Sequence, residues 1–226
     1  MKKNSILTCN FPLLAALILI LVSGCKKEND FDVTDIDGNG YHIVTVGNQE
    51  WLKENLKTTK LNDGTAIKLE PGNSAWESLT VAGYCWYDND PSKGNIYGAL
   101  YNYIAVASGK LCPTGWHVPS KAEWETLRDN AGGEAIAGGN LKEKGTVHWN
   151  SPNTGATDQV GFTALPGGER YEDGRYFYLG ENNNFWSTTP GPSGDPFGVR
   201  MYHDGSDFHM SEFMKEMAIS VRCIKN

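Results

Sequence analysis

Basic clusters are absent from this chain. Lysine and arginine number 20 against 27 aspartates and glutamates, for a net charge of −7 at pH 7. No stretch gathers the positive charge that a phosphate backbone or an anionic lipid surface needs, so nucleic acid is not expected as a partner. There is no Gly-x-Ser-x-Gly elbow and no phosphate-cradling loop of the P-loop type, which removes two common hydrolase and nucleotide-binding signatures. No fixed-period repeat recurs, so a solenoid or propeller is not indicated. Cysteine is scarce, five in 226 residues. Long hydrophobic runs are missing too. The run from Phe11 to Val22 is too short for a comfortable membrane-spanning helix.

What that run is for follows from its flanks. Lys2 and Lys3 precede it, and Val22-Ser23-Gly24-Cys25 closes it. A basic start, a short apolar core, small residues and a cysteine are the order of a bacterial lipoprotein signal peptide. The alternatives are an uncleaved anchor and a secretory signal with a chance cysteine. The expectation is removal of residues 1–24, lipid on the Cys25 thiol, a linker over 25–32 and one domain over 33–226. The chain is then held by its lipid in the bacterial cell envelope, at the outer membrane. Lys26-Lys27-Glu28-Asn29-Asp30 loosely resembles the acidic signals that send lipoproteins to the outer surface. Cleavage removes two lysines and no acid, moving the net charge from −7 to −9. About two hundred residues suffice for one core.

Glycine is abundant, 26 residues, and aromatics make up 11%. Many turns with large flat side chains point to short strands and loops. Asp-Gly-Asn-Gly before Tyr41 to Val46, and Gly47-Asn48 before Gln49 to Leu52, read as a small meander. Asp35-x-Asp37-x-Asn39-Gly40 also has calcium-loop spacing. The twelfth position of such a loop is Val46 instead of glutamate, so a tight turn explains the residues better. Residues 53–75 read as irregular, Tyr84 to Tyr87 as a strand, and Gly98 to Ala107 as a helix by the spacing of Leu100, Tyr103, Ile104 and Ala107. Ser120 and Glu123 form a capping box that starts a helix over about 120–131, with Trp124 and Leu127 on its core face. Glu134 to Lys142 reads as a second helix. Strands are expected at Phe162–Leu165, Arg170–Tyr171, Arg175–Leu179, Phe185–Thr188, Phe197–Tyr202 and Ala218–Ile224, the last with Ser220 and Arg222 on an open face. Trp116 and Trp124 are expected in the core. Beyond Cys25, the mature cysteines are Cys85, Cys112 and Cys223. They allow a Cys112–Cys223 bridge or three buried thiols, and an oxidising compartment favours the bridge.

Several blocks recur together in one family. Gly47-Asn48-Gln49-Glu50-Trp51, Glu54-Asn55-Leu56, Tyr97-Gly98-Ala99-Leu100-Tyr101-Asn102, Cys112 to Ser120, Glu123-Trp124, Gly161 to Gly168, Phe185-Trp186-Ser187 and Ser220-Val221-Arg222-Cys223 stand in that order. The chain resembles the Fibrobacter succinogenes major paralogous domain family over about residues 33–226. The resemblance implies a secreted or lipid-anchored protein and no particular reaction. Many members carry a cysteine just before the Tyr-Gly block that could pair with the one at position 85. Here Ser92 to Ile96 holds none, which by the resemblance favours Cys112–Cys223 and leaves Cys85 free. The closing block, with Gly-Gly-Glu-Arg-Tyr and Phe-Trp-Ser, is also similar to the formylglycine-generating, sulfatase-modifying group. That likeness implies an α+β, variant C-type-lectin-like fold of short twisted antiparallel strands, about two main helices and much irregular loop.

Neither chemistry of that wider group is spelled out here. A paired-cysteine copper site has no recognisable counterpart, and no His-x-x-x-His-x-Glu iron motif occurs. True lectins' Glu-Pro-Asn and Trp-Asn-Asp motifs are absent. No catalytic residue, metal ligand or cofactor is assigned. Glu169 and Glu172 read as surface charges, and His203, His209, Asp204 and Asp207 as a solvated hairpin in preference to a metal site. The candidate ligand-binding set is Tyr178, Glu181, Asn184, Trp186, His203 and Asp204, where aromatic faces and polar groups would suit a saccharide. The alternative is that Trp186 is core and 181–184 a polar turn. The expected function is a non-catalytic binding module for a glycan or envelope partner. The competing expectation is an enzyme of the sulfatase-modifying type with altered or lost oxidative activity.

Overall fold

The computed structural model describes residues 30–226. The expected signal peptide, Cys25 and most of the expected linker lie outside the described residues. The architecture is mixed α+β with much loop. An antiparallel sheet orders its strands Ile43–Val46, Gln49–Leu52, Ile224–Lys225 and Trp116–His117. A second antiparallel sheet runs Asn182–Pro190, Pro196–Tyr202, His209–Glu212. Val33–Thr34, not expected as a strand, pairs with Gly40–Tyr41 across the Asp-Gly-Asn-Gly turn, and Glu169–Arg170 pairs with Tyr176–Phe177 across Glu172-Asp173-Gly174. One strand pair departs from the all-antiparallel expectation, Lys68–Leu69 running parallel to Gly83–Cys85, and the isolated bridges Lys142 to Ala164 and Phe185 to Ser220 are parallel too.

The two longest helices are Lys121–Asn130 and Glu134–Leu141. Both arms of the capping box form. Ser120 Oγ accepts from the Glu123 amide at 3.3 Å, and Glu123 Oε2 accepts from the Ser120 amide at 2.7 Å. Trp124 is seated between the two sheets. It stacks on Phe185 at 5.3 Å and meets Trp51 at 4.7 Å, and its indole N–H donates to the Trp186 carbonyl. Trp116 is buried as well.

Cys112 and Cys223 are bonded to each other, and Cys85 is free and buried. The bridge ties the last strand to the turn that precedes Trp116–His117.

Three expected elements differ. Gly98–Ala107 is not one helix. Leu100–Tyr101 pairs as a strand with Gly83–Cys85, and Asn102 then caps a helix over Tyr103–Ala107, its Oδ1 accepting from the Ala105 and Gly83 amides. Phe162–Leu165 is not a strand. Its successive carbonyls are taken by side chains instead, Arg222 at Phe162 and Thr163, Trp149 at Ala164 and Asn183 at Leu165. Ala218–Ile224 is strand only at its end and has no open face, since Ser220 and Arg222 are as buried as Ile219, Val221 and Cys223.

Candidate functional site

The hairpin Asn182–Pro190 with Pro196–Tyr202 sets Asn182 opposite Tyr202 and Asn184 opposite Arg200. Residues two apart share a face, so these four side chains lie on the same side of the hairpin near its end, with Asn184 buried. The turn before it, Tyr178 to Glu181, folds back. The Tyr178 carbonyl accepts from the Glu181 and Asn182 amides, both at 3.0 Å. Tyr178 adopts φ 65°, which bulky residues rarely do. The residue is 40% exposed. Gly180 has φ 82°, a left-handed conformation that favours glycine, and a Cβ there would also push against the Asn150 amide at 2.8 Å.

After the second strand, the loop carrying His203 and Asp204 is held from beneath. The His203 amide donates to the Glu181 carbonyl at 2.8 Å, and its Nδ1 lies 3.2 Å from the Ser151 carbonyl. Lys142, fully buried, donates Nζ to the carbonyls of Tyr202, Gly205 and Thr154 at 2.8, 2.7 and 3.0 Å. Tyr171, Tyr178, Glu181, Asn182, Arg200, Tyr202, His203 and Asp204 then enclose an open cleft of about 290 Å³.

Of the six residues proposed from the sequence, four line this cleft: Tyr178, Glu181, His203 and Asp204. Asn184 and Trp186 do not. Trp186 has no exposed surface. It donates its indole N–H to the Tyr101 carbonyl at 2.7 Å and packs on Tyr103 and Phe213, so it belongs to the core. Asn184 lies under the floor, giving Nδ2 to Glu169 Oε2 and accepting from Arg200 Nε at 2.6 Å. Both face inward because they continue the buried side of a strand that is covered on both faces.

Glu169 corrects another expectation. It is fully buried and pairs with Arg200 at 2.7 Å, with its second oxygen lacking a protein partner. Burial pushes its carboxyl above the usual range, and the Arg200 charge opposes that shift. Arg200 also stacks 4.8 Å from the Phe213 ring, so its guanidinium forms a fixed edge of the cleft. Burial raises the Tyr171 phenol to about 12, with the Tyr178 hydroxyl and the Glu169 charge adding to it. Tyr171, Asn182, Arg200 and Tyr202 were not singled out from the sequence. The signal was the two-residue spacing of Asn182 with Asn184 and of Arg200 with Tyr202, read together across one hairpin.

The donor set for oxidative metal chemistry does not fit. Two of the three described cysteines are bonded to each other, and burial raises the Cys85 thiol to about 11, which keeps it protonated and inert. Among the described residues no three His, Cys, Asp or Glu side chains converge as a metal site. Asp35 and Asp37, the calcium-like pair, are used internally. Asp35 accepts from the amides of Asp37 and Asn39 and from the Tyr41 hydroxyl, and Asp37 from Thr58, Thr59 and Lys60.

A family model described as the Fibrobacter succinogenes major domain matches residues 44–225. No curated protein and no solved structure matches the chain. The family match takes in both larger sheets, the disulfide, the two longest helices and the cleft. The chain belongs to the Fibrobacter succinogenes major domain family.

Proposed function

We propose that this protein is a lipid-anchored binding module of the bacterial envelope, and that the cleft at the end of the long hairpin receives a saccharide. The observation that carries the reading is the convergence of Tyr178, Glu181, His203 and Asp204, from two separate loops, on one cleft with Tyr171, Asn182 and Arg200. Aromatic faces beside amide, carboxylate and guanidinium groups suit a sugar ring, which offers an apolar C–H face and hydroxyls that both donate and accept. The cleft is shallow and polar, so millimolar affinity for a single sugar is expected, with longer glycans gaining by added contacts. Its charge is mixed, with Glu181 and Asp204 at the rim and the buried Glu169–Arg200 pair below. The lectin-like likeness of the closing sequence block fits the same reading.

Two measurements test it. Intact-mass analysis of membrane-extracted protein should find a chain that begins at Cys25 and carries fatty acyl groups. Retention of residues 1–24 without acyl mass would refute the anchoring. For the cleft, a glycan array with the full chain in detergent should give hits that Tyr178→Ala and Asp204→Asn weaken about tenfold. An empty array, or hits indifferent to both substitutions, would refute the saccharide cleft.

A further inference from the structure

Six of the seven tryptophans are buried: Trp51, Trp76, Trp116, Trp124, Trp149 and Trp186. Trp86 is the exception, half-buried at the head of the segment that leads into the helix Pro91–Tyr97. Trp76, Trp124, Trp149 and Trp186 each give their indole N–H to a backbone carbonyl. Trp51, Trp116 and Trp86 donate to no protein group among the described residues, and of these three only Trp86 is not buried.

The ring is held in place. Tyr84 meets it edge-on at 5.3 Å. Its other support is Gly94, where a Cβ would fall 2.2 Å from the indole, so the helix surface is bared to let the ring lie against backbone. Trp86 lines a cleft of about 390 Å³ with Asp37, Asn39, Lys57, Thr59 and Asn95. That is within the roughly 300–1,000 Å³ of small-molecule sites.

The polar groups are pre-set as well. Burial alone would raise the Asp37 carboxyl, but hydrogen bonds from Thr59, Lys60 and Thr58 outweigh it and hold the group at about 2. Asn39 gives its Nδ2 to Asp35 at 2.9 Å, which fixes the amide and leaves its Oδ1 toward other donors. Asp37 is ion-paired with Lys60 at 3.0 Å, and Asp35, which holds the Asn39 amide, is the second acid beside Lys57, so two acids and two lysines at and behind the cleft sum to zero.

We propose that Trp86 is the platform of a second binding site, separate from the hairpin cleft, that takes a neutral sugar residue. The flat indole meets the C–H face of a pyranose, and Asn39, Asn95 and Asp37 address its hydroxyls. Balanced charge makes neutral sugars the matching class over uronates or amino sugars. Because the ring and the Asn39 amide are already held, little of their rotamer freedom is lost on binding.

The test follows indole N–H signals by NMR on the full chain in detergent, with Trp86 assigned through Trp86→Phe. Cellohexaose, xylohexaose and laminarihexaose are the neutral probes, and an oligoglucuronate is the charged one. At least one neutral probe should shift the Trp86 signal with Kd near about 1 mM. Trp86→Ala and Asn95→Ala should each weaken that binding about tenfold, while Tyr178→Ala leaves it unchanged. Should Trp86→Ala fail to fold, Asn95→Ala, which removes only an exposed amide, decides alone. The proposal is overturned if no neutral probe moves the Trp86 signal, if the oligoglucuronate moves it more strongly, or if Asn95→Ala binds as tightly as the unaltered chain. Loss of the shift in Tyr178→Ala would overturn the separateness of the two sites.

Discussion

Lys142, Arg170 and Arg222 are buried cations, and among the described residues none has a carboxylate as its ion-pair partner. Backbone carbonyls take that place. Arg222 donates to Leu52, Phe162 and Thr163 and to the Asn55 side chain, with its guanidinium 4.4 Å from the Phe162 ring. Arg170 donates to Gly174, Glu70 and Pro71 between the rings of Trp76 and Tyr176. Chain with few ladder pairings leaves many carbonyls to satisfy, and an unsatisfied buried one costs about 1–3 kcal/mol. A guanidinium or ammonium can serve several at once. Lys142→Met should therefore lower stability by about 2 kcal/mol at pH 7 and loosen the cleft wall that Tyr202 and Gly205 anchor. Desolvation holds the Lys142 ammonium near 8, partly offset by Asp204 and Asp207. Between pH 8 and the ordinary lysine value of 10.5, the unfolded chain keeps a proton that the folded chain has released. More protons bound to the unfolded state means stability that rises with pH in that window. Urea unfolding of both proteins should thus show the gap between unaltered chain and Lys142→Met widening from pH 8 to 10.5. A gap that narrows would refute the depressed ammonium.

At the scale of elements, local chemistry was legible where it closes on itself. The helix Lys121–Asn130 starts where Ser120 and Glu123 exchange hydrogen bonds, four residues of sequence that need no distant partner. Ser120→Ala should cost about 1 kcal/mol, read as a lowered melting midpoint, while Thr126→Ala on the exposed face should cost far less. If the two variants melted together, the box would contribute nothing. Hairpin turns were legible for the same reason. Elements that depend on what lies across from them were not. The run 162–165 has strand composition, yet Arg222, Trp149 and Asn183 reach its carbonyls first. The helical spacing of 98–107 gives way at Asn102, which caps one element while its Oδ1 also serves Gly83 in another.

For the whole molecule the decisive constraint is the Cys112–Cys223 bridge, which spans 111 residues and joins the final strand to the middle of the chain. Cross-linking a loop of that size removes enough unfolded-state entropy to stabilise by about 4–5 kcal/mol in the chain-entropy model. Replacing both cysteines by serine should lower unfolding free energy by up to about that amount, measured by urea at neutral pH. A change below about 1 kcal/mol would mean that the sheet Ile43–Val46, Gln49–Leu52, Ile224–Lys225, Trp116–His117 closes without it. Cys85 takes no part, being buried and free, and its oxidation should require unfolding.

The sequence alone determined the family, the capped helix and the Asp-Gly hairpins, and through the family resemblance it favoured the mixed α+β class and the Cys112–Cys223 pairing that the structure then shows, because each is written in short-range chemistry or in blocks that recur together. Only the tertiary structure decided which aromatics are core and which are open. Trp86 and Trp186 sit in similar aromatic runs, yet one lines a cleft and the other has no surface. Exposure belongs to whatever packs on a side chain from elsewhere in the chain. For Trp186 that is Tyr101, Tyr103 and Phe213, and for Trp86 it is Tyr84 and the bare backbone of Gly94, which leave part of the ring to line the cleft.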